Sequence, residues 1–154
     1  MAVAPDVSDE LPVARAVALE TAADQHGWLV RPLWSHLAVG FIAGHPKAGK
    51  SWLALDVAVS VASGTPCLGR FPVEQPGRAL VYLAEDALPR VRERIAALCA
   101  ARDLDLGALD LYVITAPSLR LDSPADQARL QATIARLRPR LLTLLRRASR
   151  EAAS

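Results

Sequence analysis

Eight consecutive residues have the types and spacing that bind nucleotide phosphates. They fit the pattern Gly-x-x-x-x-Gly-Lys-[Ser/Thr], and in order they are Gly44, His45, Pro46, Lys47, Ala48, Gly49, Lys50 and Ser51. The glycines let backbone N–H groups curl around phosphate oxygens, and a helix that begins there directs its positive end at them. The pattern therefore predicts a phosphate-binding loop over residues 44–51, continued by Trp52 at the start of the helix.

The last two residues of the loop have separate predicted roles. Lys50 would reach the β- and γ-phosphates of ATP, and Ser51 would place its hydroxyl on the Mg²⁺ that bridges them. The chain contains 16 arginines but only two lysines, Lys47 and Lys50, both in this loop. A compact ammonium fits between phosphates where a planar guanidinium does not, which supports Lys50 as a ligand. Lys47 is equally well explained as a solvated loop residue, and the alternative for the whole motif is a glycine-rich turn before a buried helix.

The segments around the loop are those that such a site needs. Residues 39–43 are an apolar, strand-like run, and residues 52–63 have the pattern of a mostly apolar helix that Gly64 closes. Residues 78–84 are a nearly continuous apolar run, the pattern of a strand buried on both faces of a parallel sheet. The loop is thus predicted to join a strand to a helix within a larger sheet.

The alternation of strands and helices continues along the chain. Helical spacing resumes at Pro89, with apolar residues on one face and the arginines mostly off it, namely Arg90, Arg94 and Arg102. Residues 109–114 predict a third strand, and Ser123 is predicted to cap a third helix. This order predicts an α/β fold, a P-loop NTPase core with an open, mainly parallel sheet and helices on both faces.

Two acids, Glu85 and Asp86, directly follow the predicted strand of residues 78–84. They would face the same crevice as the phosphate loop, because ligands of such sheets bind at the carboxyl ends of strands. Nucleotide hydrolysis needs a carboxylate that orients or deprotonates the attacking water, and Glu85 is the candidate. Asp86 is expected to cap the next helix, and capping with solvent exposure is the alternative for Glu85.

Composition and charge limit the classes of protein that remain. The chain has 154 residues, 52% of them hydrophobic, and a net charge of +2, which allows one domain with a core and gives no overall argument for nucleic-acid binding. Cys67 and Cys99 cannot build a disulfide framework, and neither has metal-ligand spacing. The acidic start lacks the features of a secretory signal, and no apolar run is long enough to span a bilayer. We therefore expect a cytoplasmic protein without membrane contact.

The chain divides into three predicted parts. Residues 1–27 are a tail with a helix over residues 13–25, residues 28–145 are the ATPase core, and residues 146–154 are an arginine-rich tail. Six arginines and no acid lie between Arg136 and Arg150. This pattern fits either a solvated helix face or a contact with phosphate or nucleic acid.

Three segments in this order resemble the RecA-like ATPases of the RepA-type hexameric plasmid helicase group, which are AAA family ATPases. They are residues 44–56, the Leu-Gly-Arg-Phe of residues 68–71, and residues 76–86. The resemblance implies that Lys50 and Ser51 bind phosphate and Mg²⁺ and that Glu85 activates water. It also implies six-membered rings with nucleotide between neighbouring subunits, DNA in the centre, and a setting in DNA replication.

The chain departs from this group at the second nucleotide motif, Walker B. The group has an apolar strand there that ends in an aspartate of the Mg²⁺ shell, whereas residues 141–145 run into Arg146, and no acid follows until Glu151. We therefore expect the N-terminal part of a RecA-like core, incomplete through truncation or a frame change, with Asp86 as a weak remaining candidate for the metal. Residues 141–145 also fit a helical face, so a strand and an amphipathic helix both stay open.

Three functions fit these observations. The first is an ATP-binding RecA-like module of a helicase or DNA-dependent ATPase whose hydrolysis is weak or lost, since the missing carboxylate would stabilise the transition state. The second is a small P-loop kinase or phosphotransferase, which would need a mobile lid such as Arg90, Arg92 and Arg94 could offer. The third is a non-catalytic docking remnant that self-associates or joins a full-length homologue through an open sheet edge.

Overall fold

The computed structural model describes residues 15–18 and 27–146. It begins with a 3-10 turn, Ala16–Ala18, and a short antiparallel hairpin. The elements in chain order are β1 (Trp28–Val30), β2 (Trp34–Ser35), α1 (Lys50–Ser63), β3 (Ala79–Leu83), α2 (Leu88–Ala100), a 3-10 turn (Leu106–Ala108), β4 (Leu111–Val113), α3 (Pro124–Leu137) and β5 (Leu141–Leu145). Apart from Ala16–Ala18, the helix predicted for residues 13–25 lies outside the described residues, as does the predicted tail beyond Arg146.

A parallel sheet in the order β4-β3-β5 forms the centre of the fold. Ala79 of β3 pairs with Leu111 on one side and Leu141 on the other, and all five residues of β3 are buried, as its continuous apolar pattern predicts. The connections from β3 to β4 and from β4 to β5 run in opposite directions across the sheet. Because such crossovers are right-handed, α2 and α3 lie on opposite faces. The predicted α/β fold is confirmed.

Local signals in the sequence place the helix ends correctly. Gly64, with φ of 77°, ends α1 in the left-handed conformation, and the side chain of Ser123 accepts a hydrogen bond from the N–H of Asp126 at the start of α3. Residues 141–145 form β5, so the strand interpretation is right and the helical alternative is wrong. The tertiary environment decides this case, because β3 offers a strand edge with which β5 pairs over its whole length.

The core lies between α1, α2 and one face of the sheet. Leu55 and Val59 of α1 are fully buried in one apolar cluster with Val81 of β3 and with Val91 and Ile95 of α2. The packing fixes α1 on the sheet, and it therefore also fixes the loop that leads into α1. This connection between core and loop is what positions the site.

The strand predicted for residues 39–43 is absent, which corrects the interpretation from sequence. Val39 and Phe41 are 91% and 93% exposed, and residues 41–43 line an apolar groove with Leu53 of α1. Among the described residues, however, none pairs with this segment as a neighbouring strand. A local sequence pattern can favour an extended backbone, but a β-strand also needs a neighbouring strand to which it can form hydrogen bonds.

Trp34 holds this extended segment in place from the hairpin. Its ring packs so closely on the backbone of Gly40 that a Cβ added there would lie 2.6 Å from the ring. Its indole N–H also donates to the carbonyl of Ala38 at 3.4 Å. Trp34 is thus a packing residue, and the path of residues 38–40 into the phosphate loop depends on it.

We expect Phe41→Ser to reduce aggregation without destabilising the protein. The side chain is 93% exposed, so the free energy of unfolding should change by less than about 0.5 kcal/mol while the exposed apolar surface shrinks. Urea unfolding and light scattering measure the two effects. Leu55→Ser is the control and should unfold the protein, because Leu55 is fully buried. A large loss of stability in Phe41→Ser would show that this residue is covered in solution.

Candidate nucleotide-binding site

The backbone of the predicted phosphate loop has the geometry of an anion-binding turn. Lys47 and Gly49 both have positive φ, 64° and 85°. Glycine adopts this conformation without cost, whereas for lysine it stores strain of order 1 kcal/mol. The N–H of Ala48 donates to the carbonyl of His45 at 3.2 Å, which closes the turn. Left-handed residues in such a turn direct successive N–H groups to one side, where an anion can accept from them.

The first turn of α1 offers further donors. Gly49 is the N-cap and provides no side-chain acceptor, and the first helical bond runs from the N–H of Leu53 to the carbonyl of Gly49 at 2.9 Å. The N–H groups of Lys50, Ser51 and Trp52 therefore have no helical acceptor. These donors, together with the positive end of the helix dipole, favour a bound anion.

Lys50 lies across the mouth of the loop. Its Nζ donates to the carbonyl oxygens of Gly44 and His45 at 2.7 and 2.8 Å. An ammonium has three protons, so one donor remains for a phosphate oxygen. The exposed residues of the loop surround this position, and they are Gly44, His45, Pro46, Lys47, Ala48 and Gly49, with Lys50 and Ser51 partly buried behind them.

A single arginine connects the loop helix to the acidic pair. The guanidinium of Arg94 lies 5.5 Å from the ring centroid of Trp52, and its Nη1 donates to Oδ2 of Asp86 at 2.7 Å. Trp52 stands in the first turn of α1 and Asp86 in the turn after β3, so this chain of contacts brings the two predicted parts of the site to one end of the sheet. Glu85 is exposed and makes no ion pair or side-chain hydrogen bond with any residue the structure describes.

Two predictions about side chains in this region are wrong. Asp86 does not cap α2, whose N-cap is Ala87 without a side-chain hydrogen bond; Asp86 pairs with Arg94 instead. The side chains of Arg94 and Arg102 are not on the exposed face, since only 19% and 13% of them are accessible. The sequence does indicate their burial, because both arginines lie three or four positions from Val91 or Leu98, which are on the apolar face of the helix. Because Arg94 is held by Asp86, it is not available as part of the mobile lid that a kinase would need.

Comparison with known families gives a match over most of the chain. Residues 5–144 match a family described as an AAA domain. The chain belongs to this family of P-loop ATPases. Comparisons with curated proteins and with solved structures give no match. The matched range includes the predicted phosphate loop, the acidic pair and all of β5 except its last residue, Leu145.

The AAA domain brings few metal-binding groups to this site. Among the residues described, no three His, Cys, Asp or Glu side chains form a group that could hold a metal. At the neighbouring strand end, the N–H of Ala84 donates to the carbonyl of Leu145 at 3.1 Å, and the next residue is Arg146. The end of β5 therefore places a cation, Arg146, beside the turn after β3 that carries Glu85 and Asp86, which we call the acidic turn.

A buried polar cluster lies further along α1 of the AAA domain. Oδ2 of Asp56 accepts from the N–H of Leu68 at 2.7 Å, and Oδ1 pairs with Arg102, which follows α2. Burial raises the pKa of the nearby Cys67 thiol to about 12, with smaller contributions in the same direction from its hydrogen bond to Asp56 and the charge of that carboxylate. Cys67 is therefore a protonated, unreactive thiol at neutral pH.

The raised pKa of Cys67 predicts a loss of stability in alkaline solution. An unfolded thiol ionises near 9.0 and the folded one near 12, so the stabilisation is complete below pH 9 and is lost as the pH rises from 9 to 12. Denaturant unfolding of the protein and of Cys67→Ala across this range should show a smaller pH dependence in the variant. Equal slopes for the two proteins would contradict the assignment, since other groups titrate identically in both.

Proposed function

We propose that this AAA domain binds ATP with Mg²⁺ through residues 44–52 and that it is a RecA-like module of a helicase or DNA-dependent ATPase. One observation carries the proposal: the N–H groups of Lys50, Ser51 and Trp52 in the first turn of α1 have no helical acceptor, and the Arg94 contacts bring the acidic turn to the same place. An anion would accept from these donors, and the two acids nearby support a site for phosphate chemistry rather than simple anion storage.

Each residue of the loop has a part in holding the nucleotide. The N–H groups of Lys50, Ser51 and Trp52 donate to phosphate oxygens, and the third proton of Lys50 donates to the β- or γ-phosphate. The strained turn at Lys47 and Gly49 keeps these donors convergent before the ligand arrives. Bound Mg²⁺ neutralises the charge of the β- and γ-phosphates, and the hydroxyl of Ser51 supplies one of its oxygen ligands.

Glu85 is the proposed water-orienting residue. It is exposed in the turn after β3, and among the described residues it has no cationic partner that would compete for its carboxylate. A carboxylate in this position can accept a proton from the attacking water or hold that water in line with the γ-phosphate. The proposal assigns this role to Glu85 and not to Asp86.

We expect hydrolysis to be slow. In the resembled helicase group, the strand that corresponds to β5 ends in an aspartate of the Mg²⁺ shell, and here Arg146 follows β5. A guanidinium cannot orient the metal's waters, and the transition state loses the stabilisation that such a carboxylate gives. Binding of ATP uses other groups and does not depend on this residue.

The helicase assignment comes from the resemblance of residues 44–56, 68–71 and 76–86, and it implies DNA as a partner and assembly into rings. A second candidate, a docking module that joins another copy or a homologue, is favoured by the exposed Val39 and Phe41 and by the outer edge of β5, to which no described strand is bonded. Size-exclusion chromatography with and without ATP and single-stranded DNA separates a nucleotide-dependent ring from constitutive docking.

Calorimetry with ATP, GTP and AMP, each with and without Mg²⁺, tests the proposed function. We expect Mg²⁺ to strengthen ATP binding and AMP to bind far more weakly, because the described donors recognise the β- and γ-phosphates. Phosphate release should be slow, and Glu85→Gln should remove what remains. Equal affinity for ATP and AMP, or no affinity for ATP, would overturn the proposal. Turnover that survives in Glu85→Gln would overturn only the role of Glu85.

A further inference from the structure

Three side chains from three parts of the chain form one connected unit beside the nucleotide site. Trp52 belongs to the first turn of α1, Arg94 to the middle of α2 and Asp86 to the turn after β3. The guanidinium of Arg94 contacts both others, at 5.5 Å from the ring centroid of Trp52 and 2.7 Å from Oδ2 of Asp86. We call this unit the Arg94 bridge.

The ion pair of the Arg94 bridge is largely shielded from solvent, whereas Trp52 is 45% exposed. The side chains of Arg94 and Asp86 are 19% and 18% exposed, in contrast to surface pairs of this protein such as Arg120 and Asp122, both 69% exposed. Exposed ion pairs are loose and weak, whereas a charge-assisted bond in a shielded place is short and holds both partners in one geometry.

The bridge makes the two neighbouring acids chemically different. Asp86 has its charge compensated by Arg94, and Glu85, one residue earlier, has no such partner in the described part of the chain. A carboxylate already bound to a guanidinium is a poor ligand for a metal ion, because its charge and its lone pairs are engaged. Glu85 is thereby the acid left for the nucleotide.

We propose that Arg94 is a positioning residue of the nucleotide site, which holds the acidic turn against the first turn of α1 and keeps Asp86 away from the magnesium ion. This inference depends on the proposed nucleotide site. It adds the contact that gives the two acids different roles, with Asp86 paired to Arg94 and Glu85 left for the nucleotide. Ser51 directly precedes Trp52, and Glu85 directly precedes Asp86. A shift of Arg94 would therefore change the distance between Ser51 and Glu85.

The first arm of the test measures the bridge itself through Trp52. Fluorescence emission is recorded for the protein, for Arg94→Ala, Asp86→Asn and Arg94→Lys, and for each of them combined with Trp52→Phe, so that the difference isolates Trp52. We expect Arg94→Ala and Asp86→Asn both to change the Trp52 emission, with Arg94→Lys intermediate. Arg92→Ala is the control and should change nothing, because Arg92 is an exposed arginine of the same helix. No response to Asp86→Asn would overturn the bridge.

The second arm measures the Mg²⁺ concentration that gives half-maximal ATP binding. In Arg94→Ala, Asp86 becomes free, and the required Mg²⁺ should fall about thirtyfold, the effect of one unit charge on a divalent ion about 4 Å away in a watery environment. Asp86→Asn alone leaves the guanidinium uncompensated and should raise the requirement, and adding Asp86→Asn to Arg94→Ala should restore it. An unchanged requirement in Arg94→Ala, or one that the second substitution does not restore, would overturn the proposal.

The two arms also separate this inference from the proposed function. If the unmodified protein binds no ATP, the proposed function fails, and the role of Arg94 at a nucleotide site fails with it. If the protein binds ATP while Arg94→Ala behaves as Arg92→Ala does in both arms, the proposed function stands and only the Arg94 inference is wrong.

Discussion

Replacing Lys50 with alanine is expected to weaken ATP binding about a hundredfold. The variant loses a charge-assisted bond to phosphate and also the two bonds to the carbonyls of Gly44 and His45 that hold the loop in shape. Together these are worth about 3 kcal/mol, and each 1.4 kcal/mol corresponds to about a tenfold change in affinity. Calorimetric titration with ATP and Mg²⁺ measures the change directly.

Two further variants make this result specific to Lys50. Lys47→Ala removes the other lysine of the chain, and because Lys47 is exposed and its Nζ has no bond to the loop carbonyls, the affinity should change less than about threefold. Lys50→Arg keeps the charge but replaces the compact ammonium with a broad planar group, so it should bind almost as poorly as Lys50→Ala. If Lys50→Arg bound ATP normally, the loop would not hold phosphates in the way proposed.

Asp56→Ala is expected to destabilise the protein by about 3 kcal/mol or more, which lowers the melting temperature by about 10 °C for a domain of this size. Asp56 is 7% exposed, and its carboxylate pairs with Arg102 and accepts from the N–H of Leu68. Its loss leaves a buried guanidinium and a backbone donor without their partner. Thermal unfolding followed by circular dichroism measures the effect.

The pair of Asp56 and Arg102 can be tested against a matched surface pair. Asp122→Ala breaks a pair in which both side chains are 69% exposed, and it should leave the melting temperature unchanged. The double variant Asp56→Ala with Arg102→Met should be more stable than Asp56→Ala alone, because it removes the uncompensated charge. If both single aspartate variants melted at the same temperature, the buried pair would contribute nothing to stability.

Much of the fold follows from short stretches of sequence. The five buried residues of β3, the end of α1 at Gly64 and the cap of α3 at Ser123 were all predicted from local pattern. The phosphate loop was predicted in the same way, because glycine placement and the start of a helix determine where backbone donors point. Each of these features depends on residues within a few positions of one another.

Other features depend on which elements become neighbours. Residues 39–43 are an apolar, strand-like run, yet the segment has no strand beside it among the described residues, whereas residues 141–145, which also fit a helix, pair with β3. The helical pattern predicts Arg94 and Arg102 on the exposed face, but they meet Asp86 and Asp56 across 8 and 46 positions of sequence. No local pattern specifies a partner at such separations.

The sequence by itself determined the turn at residues 44–51, the alternation of strands and helices, and the two acids at a strand end, because each comes from short-range rules of backbone conformation and periodicity. The tertiary structure alone decided which acid stays free, which arginines are buried, and which apolar segment pairs in the sheet. These depend on packing, which brings distant side chains together. A buried charge then needs an oppositely charged partner, because leaving it unpaired in the interior costs several kcal/mol.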